Sequence, residues 1–202
     1  MAVKKAKTMG AAAAPRDRVL AAARDLFLEH GYLATTIGAI ADRAAVALRT
    51  IYSGYGSKVG ILAAVQDQAV AGDGAERSMI ERDWVARLTS MTREQALGSV
   101  VSHFAEATER AAPILQVIQT ASSDAAVREL LDRLHEQRIA TCRHVAGLIV
   151  DDRDAGRLAD QLYALLGVEM HQLLVVRRGW TLSQWESWAL DSLGWATRRS
   201  DD

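Results

Sequence analysis

Residues 36–58, Thr-Ile-Gly-Ala-Ile-Ala-Asp-Arg-Ala-Ala-Val-Ala-Leu-Arg-Thr-Ile-Tyr-Ser-Gly-Tyr-Gly-Ser-Lys, constrain the fold more than any other stretch of the chain. They predict two short helices joined by a tight turn. Ile37, Ile40, Ala41 and Ala44 recur at one-turn spacing and form a single apolar stripe. Thr36 precedes that stripe with a side-chain oxygen suited to capping free backbone N–H groups. Val46 and Ile51 anchor a second short helix, and Ala47, Leu48, Arg49, Thr50 and Tyr52 are a mixture that a buried helix would not choose. Arg49 and Thr50 can donate to phosphates or base edges, and Tyr52 carries a hydroxyl on a stiff arm. A helix-turn-helix needs this division, with one face packed and the other presented to a major groove. Read from pattern alone, the stretch fits a plain helical hairpin as well as a DNA reader.

The rest of the chain is also helical in pattern. Its 202 residues contain only Pro15 and Pro113, and no Val/Ile/Thr alternation of the strand type. Half the residues are hydrophobic, enough for a substantial core. One cysteine, Cys142, excludes an intramolecular disulfide and fits a reducing compartment. No run of eighteen apolar residues exists, so no membrane span is expected. Ala11 to Ala14 is too short for a signal-peptide apolar region despite Lys4, Lys5 and Lys7, so a cytoplasmic location is expected. Charge is divided unevenly. Residues 1–60 hold nine Lys/Arg against four Asp/Glu, whereas the remainder holds 15 against 21. A basic front with an acidic back suits a nucleic-acid reader carrying a second module, although the N-terminal lysines supply much of the excess.

Three segments follow: a disordered basic arm over 1–14, a DNA-binding module over 15–61, and a larger helical domain over 62–202. Pro15 suits a first helical turn, Val19, Ala22, Ala23, Leu26 and Phe27 make an apolar face, and Gly31 closes the helix. Phe27, Ile40, Val46 and Ile51 are expected to meet in a small core. Gly54-Tyr55-Gly56 ends the second short helix of the pair, and Ser57 caps a fourth helix that runs to about Ala71. Further helices are expected over 76–88 (Met79, Ile80, Trp84, Leu88), over 92–111 with Thr92 as cap, from Pro113, from Asp124 to about Val150, over 158–174, and over 182–197.

The run from Arg18 to Tyr32, then Thr35-Thr36-Ile37, Ile40-Ala41, Ala44 to Val46, Thr50-Ile51-Tyr52, Tyr55 and Ser57-Lys58 closely resembles the TetR family of bacterial transcription regulators over residues 16–65. Asp160 to Glu169 and Gly179 to Trp188 resemble the family's last two helices more loosely. The resemblance implies an all-α fold: an N-terminal three-helix helix-turn-helix domain joined by helix four to a ligand-binding and dimerisation domain. By this resemblance Thr36, Tyr52 and Lys58 hold phosphates while Ala47, Leu48, Arg49 and Thr50 face bases. Thr36 also suits a simple cap role, and Tyr55 suits core packing. The family usually has Gly at Ala45, Ser at Ala47, an aromatic or His at Gly54, Phe at Tyr55, and Glu at Gly60, where it completes a capping box with Ser57.

If the family pattern holds, the middle helices enclose a pocket for a hydrophobic or amphipathic effector. Trp84, His103, Phe104, Ile118, Leu134, His135, Cys142 and Met170 are its candidate lining, although residues of these types are more often plain core. His103 and His171 also suit the surface. A homodimer is expected through the last two helices, with Leu162, Leu165, Leu166, Leu173, Trp185, Trp188, Ala189 and Leu193 as candidate interface, or as intramolecular core. The five histidines show no metal-ligand spacing, no cofactor motif is present, and Cys142 lies at neither three nor four residues from His135 or His144. The expected function is a DNA-binding repressor released from its operator by a small molecule. The alternative is a helical small-molecule sequestering protein whose DNA module has decayed.

Overall fold

The computed structural model describes residues 14–72 and 82–197. Helix α1 (Pro15–Ala34) starts on its proline and is interrupted at Gly31, where φ is 75°. Helices α2 (Ile37–Ala44), α3 (Leu48–Tyr55) and α4 (Lys58–Ala71) follow. Then come α5 (Asp83–Leu88), α6 (Arg93–Thr120) and α7 (Ala125–Ile149). The chain finishes with α8 (Asp152–Leu165), α9 (Val168–His171), a π-helical segment (Gln172–Arg177), α10 (Leu182–Leu193) and a final 3-10 turn (Gly194–Thr197). Among the described residues there is no strand.

The caps follow the sequence. Thr36 Oγ1 accepts from the Ala39 N–H at 3.1 Å, and Ser57 Oγ from the Gly60 N–H at 3.1 Å. Asp124 caps α7, and Thr92 forms a reciprocal box with Gln95. Two expectations need correction. Pro113 does not start a helix; α6 runs through it, with Pro113 on the exposed side, where water can reach the Glu109 carbonyl left without an N–H partner. The stretch 158–174 is not one helix but breaks at Leu166–Gly167. The expected helix over 76–88 is described only from Asp83, and Met79 and Ile80 lie outside the described residues, as do residues 1–13 of the expected arm.

Two apolar cores result. One joins α5, α6, α7, α8 and α10 around Trp185, Leu162, Val100 and Cys142. The other is the core of α1 to α4, where Phe27, Ile40 and Ile51 are essentially inaccessible and Val46 packs against them. Ile114 and Ile118 of α6, Ala121 just beyond its end, and Val127 and Leu130 of α7 close this second core. The N-terminal module therefore shares its interior with α6, and a displacement of α6 reaches α4 without an intervening linker.

Candidate functional site

Helix α3 is held by the fully buried Ile51 and by Tyr55, which packs half-buried against the same core, and its other side chains are exposed. Leu48 is 49 % exposed and Tyr52 53 %, while Ala47, Arg49 and Thr50 are also exposed. Arg49 has no ion pair to any described residue, which leaves all its donors for a partner outside the fold. An apolar side chain and a guanidinium side by side on an open helix can touch a thymine methyl and pair with a guanine edge.

The turn in front of α3 is built as a full C-terminal cap. Ala45 N–H donates to Asp42 O at 3.2 Å and Val46 N–H to Ala41 O at 3.1 Å, the paired bonds of a Schellman motif. Ala45 occupies its left-handed position, at φ 52° and ψ 52°, which glycine normally takes. Arg18 Nε donates to Ala44 O at 3.1 Å, adding a cation at the same helix end. Ala47 has the extended backbone of a cap residue but no side-chain acceptor. Ala45→Gly and Ala47→Ser are each expected to stabilise the protein by about 1 kcal/mol, the first by removing left-handed strain, the second by adding a cap. Urea unfolding midpoints check both; a fall in either midpoint contradicts the turn geometry.

Lys58 sits inward rather than on an open surface. Its Nζ donates to Tyr32 O at 2.8 Å and Thr35 O at 2.9 Å, and lies 4.2 Å from the centre of the Tyr32 ring. Burial lowers its pKa from the ordinary lysine value. Thr35 Oγ1 in turn donates to carbonyls at the end of α1, Leu26 O and Gly31 O. A bidentate pair between Glu29 and Arg43 links α1 to α2 at 3.0 Å. The link that carries Thr36 is thus fixed from three sides.

The candidate effector-lining residues do not form one group. Trp84, Phe104 and Cys142 are buried in the α5–α10 core with Met170 against it, whereas Ile118 and Leu134 belong to the core of the N-terminal module. His103 stacks on Trp84 at 4.3 Å, and its Nδ1 meets Ser99 O at 2.7 Å. His135 Nδ1 meets the Tyr163 hydroxyl at 2.6 Å. Burial pushes the Cys142 thiol up to about 11, so it is an inert core group. A shallow cleft of about 320 Å³ between α5 and α7, beside His144 and Leu148, contains none of these residues.

Leu162, Leu166, Trp185, Ala189 and Leu193 are each 0 % exposed inside the protomer, so these five candidate interface residues are intramolecular core. Leu165 and Trp188 are half-buried, and Leu173 is 48 % exposed. Val176, missed in the sequence, is 58 % exposed on the π-helical segment that also carries Leu173. A π-helix shifts the side-chain register, which a search for 3.6-residue periodicity overlooks.

Sequence reading also missed the polar node at the α8–α9 break. The Tyr163, Leu165 and Leu166 carbonyls there accept from Arg138 of α7 (3.2 Å), Trp185 of α10 (3.0 Å) and Thr108 of α6 (2.9 Å). His171, one turn on, is buried rather than at the surface. Desolvation lowers its pKa, partly opposed by the Glu109 carboxylate.

Residues 19–65 match the family model for bacterial regulatory proteins of the tetR family. None of the curated proteins is a detectable sequence relative of the chain. Its fold is similar to that of a transcriptional regulator from Aquifex aeolicus, with a TM-score of 0.66 at 15 % identity, covering 90 % of this chain and 99 % of that one. NalD, the secondary repressor of the MexAB-OprM multidrug efflux pump in Pseudomonas aeruginosa, is similar with a TM-score of 0.62 at 19 % identity, over 92 % and 97 % of the two chains. FadR from Bacillus subtilis, solved with stearoyl-CoA, gives a TM-score of 0.62 at 18 % identity, over 91 % and 99 %.

Proposed function

We propose that this chain, whose residues 19–65 match the family model for bacterial regulatory proteins of the tetR family, is a member of that family and a dimeric, effector-responsive repressor of transcription. The observation that carries the reading is the exposed row of Leu48, Arg49 and Tyr52 on a helix anchored by Ile51 within the matched region. One such module reads too few base pairs for operator specificity. Two modules on a two-fold axis read half-sites centred roughly 34–36 Å apart. Leu165, Leu173, Val176 and Trp188 supply the outward apolar surface on which the two copies pair.

Arg49 reads bases, with Leu48, Ala47 and Thr50 against the groove, and Thr36 and Tyr52 meet phosphates. Lys58 fixes the link that carries Thr36. Effector binding in the α5–α10 domain shifts a pre-existing equilibrium, since a ligand moves a two-state system only through different affinity for the two states. The path is short: Arg110 of α6 donates to Ala69 O at 3.3 Å and Val70 O at 3.1 Å, so α6 holds the C-terminal end of α4. No described helix is long and apolar enough to cross a membrane, which suits a protein that works on DNA in the cytoplasm.

The test is selection of duplexes from a random-sequence library by the full chain, followed by Arg49→Ala on the selected duplex. Loss of a bidentate guanine contact costs about 1–3 kcal/mol and relaxes preference at that base pair. Unchanged affinity and preference would remove Arg49 from the base contacts. The alternative, a sequestering protein with a decayed DNA module, draws on Ala45 and Ala47, and it requires that the selection enrich no sequence.

A further inference from the structure

His171 is 5 % exposed, and among the described residues neither ring nitrogen has a hydrogen-bond partner. The backbone carbonyls nearby are satisfied. The three carbonyls of the adjoining helix break are taken by Arg138, Trp185 and Thr108, and the His171 backbone N–H donates to Gly167 O at 3.1 Å. The carbonyls of the node are all taken, and its buried side-chain atoms without a partner among the described residues are the two imidazole nitrogens and Arg138 Nε. Native proteins seldom leave buried polar atoms without partners, because each forfeits its hydration for nothing. The π-helical segment begins at the next residue, Gln172, and such segments concentrate at functional positions. Two independent features thus mark one spot on the α6-facing side of α9.

We propose that His171 is the hydrogen-bonding anchor for the effector, and that the effector is an uncharged molecule with an apolar body and a hydroxyl group. The inference rests on the reading of the helical domain as an effector domain. The chemistry follows from the surroundings. A neutral imidazole offers one N–H donor and one bare acceptor nitrogen, and a hydroxyl can satisfy either. The Trp185 ring meets the imidazole edge-on at 5.5 Å, and Leu162 and Leu166 are buried in the same core, so the body of the ligand is apolar. The Glu109 carboxylate lies on the α6 side and repels an anionic group. The imidazole itself, kept neutral by burial, offers no counter-charge.

The test uses the full chain with phenol and toluene, two probes of nearly the same shape that differ by the hydroxyl. Phenol is expected to raise the melting temperature and to shift the ring ¹⁵N resonances of one histidine, and to bind about tenfold or more tighter than toluene, the factor that corresponds to one good hydrogen bond. In His171→Phe that preference disappears. The variant itself is expected to melt a few degrees higher than the parent, since it deletes two buried atoms without partners; His171→Leu repeats the measurement with a smaller side chain. Equal affinity for the two probes, binding of neither, a phenol preference that survives both variants, or a lowered melting temperature in both variants overturns the assignment. The last result marks an imidazole satisfied by internal water alone. If phenol binds at His171 but leaves DNA affinity unchanged, the anchor stands and the regulatory reading falls. If a compound releases DNA but leaves the His171 resonances unmoved, the regulatory reading stands and the anchor falls.

Discussion

Gly60→Ala is expected to destabilise the protein by about 1–3 kcal/mol or more and to weaken DNA binding with it. Tyr55, Gly56 and Ser57 form a γ-turn in which the Ser57 N–H donates to Tyr55 O at 2.8 Å. Gly56 holds it open at φ 70° and ψ −44°, a conformation that costs a non-glycine residue strain. The turn aims the Tyr55 carbonyl at the first turn of α4, where a Cβ on residue 60 would lie only 2.1 Å from the oxygen. The obstacle is backbone, so it yields only if the γ-turn opens and the end of α3 moves. Family resemblance suggested a glutamate here, completing a capping box with Ser57. The structure explains its absence: Ser57 still caps the Gly60 N–H, but this tight junction has no room for any side chain. Urea unfolding and duplex binding measured on the same variant check the prediction. A variant as stable as the parent contradicts the described junction.

Lys58→Met is expected to weaken both the fold and DNA binding while leaving the salt dependence of DNA binding unchanged. The substitution keeps an apolar stem but leaves the Tyr32 and Thr35 carbonyls without the ammonium that bridges them at 2.8 and 2.9 Å. Hydrogen bonds to charged groups are worth about 1.5–3 kcal/mol when well sheltered. This pair is only half-buried, so a total of about 1–3 kcal/mol is the reasonable expectation. DNA affinity should fall because the link bearing Thr36 loosens. The salt slope separates this role from a phosphate contact. Losing one phosphate contact lowers the slope of log K against log salt by about 1, whereas losing a positioning residue does not. A slope reduced by one unit, with the fold unaffected, would return Lys58 to the phosphate contacts that family resemblance suggests.

The N-terminal module was largely legible because its determinants are local. Thr36 and Ser57 act as caps within three residues of themselves, Gly31 breaks its own helix, and Ile40 and Ile51 follow helical spacing into the core. Even the strain at Ala45 could be anticipated from the residue type expected there. The second domain was less legible because periodicity identifies an apolar face but not what covers it. Leu162, Leu166 and Trp185 show the same helical pattern whether they face α6 or a second copy of the chain, and α6 and its neighbours claim them. The break at Gly167 depends on hydroxyl, indole and guanidinium groups from three other helices, up to 58 residues away in sequence. No local signal reports partners so distant. His171 was ambiguous for the same reason: its burial is a property of the packed helices around it.

Whether α3 reads a DNA sequence as half of a two-fold pair is decided by binding of the full chain to two duplexes of equal length across a salt series. One duplex is selected from a random library and the other is its scrambled counterpart. Affinity for the selected duplex is expected to be about a thousandfold or more above that for the scrambled one at physiological salt. The selected sequence is expected to hold two half-sites about one helical turn, or a whole multiple of it, apart. Equal affinity for both duplexes at every salt concentration, falling together as salt rises, would contradict sequence reading by α3.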